Sequence, residues 1–230
     1  MNNKKRLVHE LFQNISSKYD KVNSIMSFGM DNLWRKKAIK LVKISKNDVC
    51  LDLCCGTGKF TELISEILGD KGFIYALDIS ENMLEIAKNR INKQNIKFIL
   101  GDATETPFEN NFFDVVTMGW GLRNIPDIHM VLTEIYRILK VGGRFVLLDM
   151  GKPNTFLIKN FYWFYLKKIV PLIGKIVTGN KDPYIYFYKS IENFPSSTEI
   201  KDLLSKIGFK NTKSVNLALG AVSIIYGEKY

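Results

Sequence analysis

A chain of 230 residues, 46% of them apolar, suits one large domain, or one domain with a helical extension, and has ample material for a sizeable core. Lys and Arg number 33 against 23 Asp and Glu, and the formal charge of +10 favours an acidic partner, nucleic acid or an anionic membrane surface, without choosing between them. No long uninterrupted apolar run is present, and the polar start Met1 to Arg6 is not followed by an apolar signal region, so neither a membrane span nor an export signal is expected and the expected compartment is the cytoplasm.

From Arg6 to Ile44 the spacing of Leu7, Leu11, Phe12 and Ile15, then Val22, Ile25 and Met26, then Trp34, Ala38, Ile39 and Leu41 predicts helix, interrupted at Ser27-Phe28-Gly29. Phe28 and Trp34 could form a lid edge over a pocket or pack on the main domain. We take 1–45 as a helical extension or lid and 46–230 as the main domain. Val49 to Leu53 reads as a buried strand, and Gly56 and Gly58 permit a sharp turn into a helix from Lys59 to Leu68, stopped at Gly69. Cys50, Cys54 and Cys55 crowd onto this strand and turn. Their spacing fits no metal site and no disulfide framework, so they read as reduced, mostly buried thiols and no metal is expected.

A second strand is predicted over Phe73 to Asp78, a helix capped by Ser80 over Glu81 to Ile91, and a third strand over Ile96 to Leu100, closed by Gly101-Asp102-Ala103. Phe113 to Met118 forms a fourth strand that opens into Gly119-Trp120-Gly121-Leu122-Arg123-Asn124. A helix over Ile128 to Leu139 should stop at Gly142-Gly143 before the strand Arg144 to Asp149. Strands alternating with helices at this rhythm predict a doubly wound, mostly parallel sheet. Phe156 to Val177 is aromatic-rich and basic, broken at Pro171 and Gly174; it reads either as a helix in a membrane interface, with ~1 kcal/mol per lysine near anionic lipid, or as a cap beside the sheet. A helix over Thr198 to Ile207, started by Ser196 or Ser197 and stopped by Gly208, precedes an antiparallel pair, Thr212 to Leu217 and Val222 to Tyr226.

The signature Gly56-x-Gly58-x-x-Thr61 is weak alone, since such turns serve several nucleotide-like ligands. Thr61 stands where a dinucleotide fold has a third glycine, which argues for a ligand without a pyrophosphate. S-adenosylmethionine, a nucleoside carrying a cationic sulfonium amino acid, is the obvious candidate. Asp52 and Asp78 would supply acids for its cationic groups and its ribose diol, and Asp102 is placed for the adenine amino group. Three acids at three successive strand ends in so basic a chain are a stronger signal than the glycines. His9 and His129 have no evident partner and read as surface or packing residues.

Tyr19-Asp20-Lys21-Val22-Asn23 through Phe28-Gly29 and Trp34-Arg35, Leu51 through Gly58, Leu77 through Leu84, Gly121-Leu122-Arg123-Asn124 and Arg137 through Arg144 resemble the ubiquinone/menaquinone biosynthesis C-methyltransferase family over nearly the whole chain. Tyr188, Ser190-Ile191, Phe194-Pro195 and Gly220 match as well. The resemblance implies a class I S-adenosylmethionine-dependent methyltransferase: a Rossmann-like, mostly parallel seven-stranded sheet with an N-terminal helical extension and an inserted aromatic segment, 156–195, that caps the substrate or faces a membrane. It implies methylation of a ring carbon of a prenylated quinol, leaning to demethylmenaquinol, and no nucleic-acid partner. By position it carries Thr57, Asp78, Asp102 and Ala103 to the cofactor contacts and Gly119 to the small residue lining that pocket, where Gly56 and Gly58 are already expected from the glycine signature. Three departures stand out: Val141 in place of a proline, Asp149-Met150-Gly151-Lys152-Pro153 in place of a glutamate-bearing form, and Tyr226 where the family often carries a histidine.

A ring carbon beside a phenolic hydroxyl becomes nucleophilic when the hydroxyl loses its proton, and a phenol near pKa ~10 needs a base or a cation to do so. Arg123 and Asn124, after the fourth strand, are the expected groups to bind and polarise the quinol oxygen, with Tyr19 third. Competing readings are a ubiquinone-pathway quinol, another small phenol or an RNA base as acceptor, a basic membrane-binding protein that keeps the fold without catalysis, and, more distantly, a nicotinamide dehydrogenase. An RNA acceptor would bind with steep salt dependence.

Overall fold

The computed structural model describes residues 3–230; Met1 and Asn2 of the polar start lie outside them. Five strands run parallel: β1 (Val49–Leu53), β2 (Phe73–Asp78), β3 (Ile96–Leu100), β4 (Phe113–Gly119) and β5 (Leu139–Met150). β6 (Lys210–Leu217) and β7 (Val222–Glu228) complete the sheet, β7 antiparallel to both β5 and β6. In space the order is β3-β2-β1-β4-β5-β7-β6, so the chain winds outward from β1 in one direction and from β4 in the other. The carboxyl ends of β1 and β4 therefore diverge at a switch point, the place where such sheets bind ligands.

The helices follow from which strand residues are apolar. Successive residues of β1 and β4 belong to opposite cores: Cys50 and Val115 face one side, Leu51 and Val116 the other. Helix α1 (Asn3–Met26) runs across the molecule, whereas α2 (Asp31–Val42) and α3 (Lys59–Ser65) bury Trp34, Ala38, Ile39, Phe60 and Ile64 on the Cys50 side. Thus α2, assigned by sequence to the extension, is built into the core of the sheet. Helix α4 (Glu81–Arg90) covers Ala76 with Leu84. On the opposite face α5 (Ile128–Ile138) contributes Val131, Leu132, Ile135 and Ile138, and each such fully buried aliphatic side chain contributes about 1.5–3 kcal/mol.

Several expected boundaries move for local reasons. Helix α3 stops at Ser65 rather than Leu68, its last hydroxyl bonding the Glu62 carbonyl at 2.7 Å. Gly142-Gly143 does not stop α5; Leu139 is already extended, and the glycines form an irregularity inside β5 that pairs with the chain end through Gly142 N–H to Lys229 O at 2.7 Å. Between Phe156 and Val177 the helix is continuous: α6 (Phe156–Phe164) passes through a widened π turn (Tyr165–Ile169) into α7 (Val170–Thr178). Pro171, lacking an N–H, lies just after that turn, and the wider turn absorbs the missing bond. Gly174 breaks nothing; a Cβ there would fall 1.9 Å from the Tyr184 ring.

Tyr184 belongs to α8 (Asp182–Glu192), a helix the sequence reading did not assign; Asp182 and Pro183 in its first turn are the start signal. With Val22 of α1, helices α6 to α8 form a third apolar cluster around Tyr162, Leu166, Val170 and Ile191. Helix α9 (Ser197–Ile207) begins at Ser196 in a full capping box with Glu199 and ends at Gly208. Among the described residues no helix is long and apolar enough to cross a membrane.

Candidate active site

The turn after β1 and the end of β4 open onto a cavity of about 350 Å³. Gly56 lines it at φ +53°, and a Cβ there would meet nothing within 4 Å, so the missing side chain leaves a ligand-sized approach to the backbone. Asp78, at the end of β2, accepts from Gly56 N–H at 2.8 Å and Ser80 N–H at 2.9 Å. Burial raises its pKa, opposed by those amides, the Ile79 amide and His9. Asp102 accepts from the amide and hydroxyl of Thr104 at 2.9 and 2.8 Å. Ala103 and Gly119 complete the expected residues on this wall, beside apolar side chains such as Leu77 and Met83. Two oriented carboxylates in a largely apolar cleft suit a nucleoside with a donor-rich ribose and a cationic tail.

Three expected cofactor residues lie elsewhere. Asp52 is behind the wall, 1% exposed, its carboxylate accepting from the Thr61 amide (2.9 Å), the Thr61 hydroxyl (2.6 Å) and the Thr117 hydroxyl (3.1 Å). Thr61 therefore replaces a glycine because its hydroxyl locks the start of α3 to β1. Gly58, at φ +81°, is where α4 comes closest; a Cβ would sit 3.0 Å from Ala87. Thr57 turns from the cavity toward α1, donating to Asp20 at 2.7 Å and accepting from Arg90 at 3.3 Å.

That contact shows what α1 does. Arg90 of α4 pairs with Asp20, and Gln13 Oε1 accepts from Asn82 N–H at 3.0 Å and Ser80 Oγ at 3.1 Å. Helix α1 is latched across the mouth of the cavity, to which it adds Val8, Phe12 and Tyr19.

Tyr19 and Trp120 are shared with a second cavity of about 420 Å³, lined mainly by apolar and aromatic side chains. Trp120 stands at φ +61°, between two glycines, and turns its ring edge to Trp34 at 6.2 Å. Arg123, 6% exposed, reaches this second cavity. Its guanidinium donates to Asp149 at 2.8 Å and to the Trp120 carbonyl at 2.6 Å, lies 5.1 Å from the Phe187 ring centre, and keeps a buried Nε without a protein partner. Its ion-pair partner is thus Asp149, in the segment that departs from the family's glutamate. Asn124 bridges both walls, donating to Trp120 O at 3.2 Å and accepting from Tyr186 OH at 3.3 Å. Burial raises the pKa of Tyr19, against the opposing charge of Arg123 and a bond to Asn23.

Tyr226 lies on β7 in the core beside α2, bonded to Glu228, and lines none of these cavities. His129 is exposed. Sequence reasoning passed over Asp149 and Trp120 as site residues, although Gly119-Trp120-Gly121 marks a forced turn. Phe12 and Tyr186 arrive from distant helices and leave no local signal.

The sheet order, the glycine turn after β1 and the acid ending β2 define a class I S-adenosylmethionine-dependent methyltransferase. Solved structures share this fold: a SAM-dependent methyltransferase from Thermotoga maritima (TM-score 0.70, 24% identity, 96% of this chain and 99% of that one) and one from Aquifex aeolicus (TM-score 0.65, 17% identity, 92% and 98%). The chain belongs to the ubiE/COQ5 methyltransferase family, whose model matches residues 1–229. Among its relatives, a demethylmenaquinone methyltransferase from Staphylococcus saprophyticus is 41% identical over 227 residues, covering 98% of this chain and 97% of the relative. One of the same name from Staphylococcus aureus strain JH9 is 40% identical over 226 residues, covering 98% and 94%. The cofactor is S-adenosyl-L-methionine.

Proposed function

We propose that this enzyme methylates a ring carbon of a prenylated quinol, demethylmenaquinol, working as a peripheral protein at an anionic membrane surface where such an acceptor resides. The observation that carries this reading is the pair of cavities meeting at Tyr19 and Trp120: the first suits a cationic nucleoside, and the second, largely apolar, holds a buried guanidinium close to the junction. S-adenosylmethionine, when bound, supplies an electrophilic methyl group. The chain's own residues make the ring carbon nucleophilic; the hydroxyl proton leaves to solvent, and the proton the ring carbon loses on methylation restores that hydroxyl, so that one proton is released per turnover. Arg123 places positive charge where the quinol oxygen becomes a phenolate, which in a desolvated cleft is worth more than in water. Asp149 holds the guanidinium in place through its side chain and the Arg123 amide, the latter at 3.3 Å. Tyr19, whose raised pKa keeps its hydroxyl protonated at neutral pH, donates to the developing phenolate instead of acting as the base. Asn124, occupied by Trp120 and Tyr186, positions both walls. Latching of α1 excludes water, and alignment supplies the remainder.

Incubating the pure protein with labelled S-adenosylmethionine and reduced demethylmenaquinone is expected to place label on the ring carbon. Tyr19→Phe should lower kcat about 10²-fold, the scale for losing one oriented donor, while leaving cofactor affinity within about twofold. Cofactor binding without any transfer to ring carbon would sink the proposal.

A further inference from the structure

The mouth of the acceptor cavity is built from three separate stretches: the turn after α1 with Phe28, helix α6 with Phe161, and the turn between β6 and β7 with Leu219. All three side chains project into solvent, at 81%, 70% and 75% exposure. Phe28 and Leu219 also sit in left-handed backbone, at φ +52° and +56°. Tight turns of that kind favour glycine or asparagine; a bulky apolar side chain there is disfavoured twice, by the backbone and by water. Helix α6 continues the surface, with Phe156, Leu157 and Phe164 exposed beside Phe161. So large an apolar rim, confined to one opening, marks a contact surface.

Charge around the rim selects the partner. Residues 150–181 hold Lys152, Lys159, Lys167, Lys168, Lys175 and Lys181 and no acidic residue. Between 27 and 43 the one acid is Asp31, buried against Arg35 at 2.5 Å and Lys59 at 3.2 Å. Residues 210–221 carry Lys210 and Lys213 and no acid. Apart from the buried Asp31, the three stretches that frame the opening thus contain no acidic residue. Lys167 is tied to Glu192 at 3.1 Å, whereas Lys159, Lys168 and Lys175 remain exposed.

We infer that this rim seats on an anionic lipid bilayer, with Phe28, Leu219 and the outer face of α6 entering the acyl region and the lysines resting at the headgroups. Seated so, the cavity opens directly onto hydrocarbon, and a prenyl chain slides in without crossing water. That use of the seat rests on the prenylated acceptor proposed above; the seat itself is measured without it.

The test is sedimentation of the full chain with vesicles of phosphatidylcholine alone and of phosphatidylcholine with phosphatidylglycerol, with no quinol or methyl donor present. Wild type is expected to sediment with the anionic vesicles. The double variant F28N/L219N, whose asparagines tolerate left-handed backbone, should melt at or above the wild-type temperature and partition about tenfold less or weaker. The triple variant K159E/K168E/K175E should lose the preference for anionic vesicles. The inference is overturned if wild type stays in the supernatant with both vesicles, if F28N/L219N sediments like wild type, or if that variant instead abolishes self-association of the chain. Because no turnover enters the assay, its failure leaves methyl transfer standing, and a failed transfer assay leaves the seat standing.

Discussion

At the scale of single residues, Asp52 shows how a buried strand acid can brace the wall of a cavity from behind. Burial raises its pKa to about 6, outweighing hydrogen bonds from Thr61 and Thr117. A carboxyl with a raised folded value binds its proton more tightly in the folded chain than in the unfolded one. The contribution of Asp52 to stability is therefore fully present below about pH 4 and is lost as pH rises through about 6, by about 3 kcal/mol in all. Asp52→Asn keeps an oxygen for the Thr61 amide but cannot titrate, so the difference in urea-unfolding free energy between the two proteins should shift by about 2 kcal/mol between pH 4 and 7. Parallel pH profiles would contradict this account. From sequence, Asp52 and Asp78 looked alike because both end strands that precede glycine or serine turns. What separates them is facing: Asp52 lies beside Thr117 of β4 with its carboxylate turned back onto α3, while Asp78 is the last paired residue of β2, opposite Leu100 and one position beyond the last pair with β1. Register against a neighbouring strand is not written locally, which is why the cavity-lining acid and the locking acid could not be told apart.

Among the elements, those whose signals are local were legible: β2 and β3 fall on their expected spans, and Ser80 caps α4 by accepting from Met83 N–H. Elements whose stop depends on a distant partner shifted, as with the glycines of β5 that pair with the chain end. The aromatic segment is the instructive case. Pro171 and Gly174 suggested breaks in it, yet Gly174 is there to let α8 approach, and α8 had not been foreseen. Replacing Gly174 with Ala should wedge a methyl into the Tyr184 ring and destabilise the chain by about 1–3 kcal/mol, seen as a lower urea midpoint. An unchanged midpoint would mean that α7 and α8 pack more loosely than described. The same reasoning clarifies the N-terminal stretch: the glycine turn at Phe28-Gly29 separates a true cover, α1, from α2, which is core.

For the whole molecule, the winding of the sheet was readable because parallel strands demand crossovers, and those crossovers carry the apolar periodicity. The second cavity was not readable, since α1, the loop after β4, α6 and α8 each contribute one wall. Its assembly explains why the family-matching blocks at Tyr19 and Arg123, which both line it, are so far apart in sequence. The proposed acceptor can be tested on the living system most directly by extracting quinones from cells that lack this protein. Unmethylated demethylmenaquinone should accumulate, and the methylated quinone should return when the wild-type chain is restored. A quinone pool unchanged by the loss would contradict the assignment.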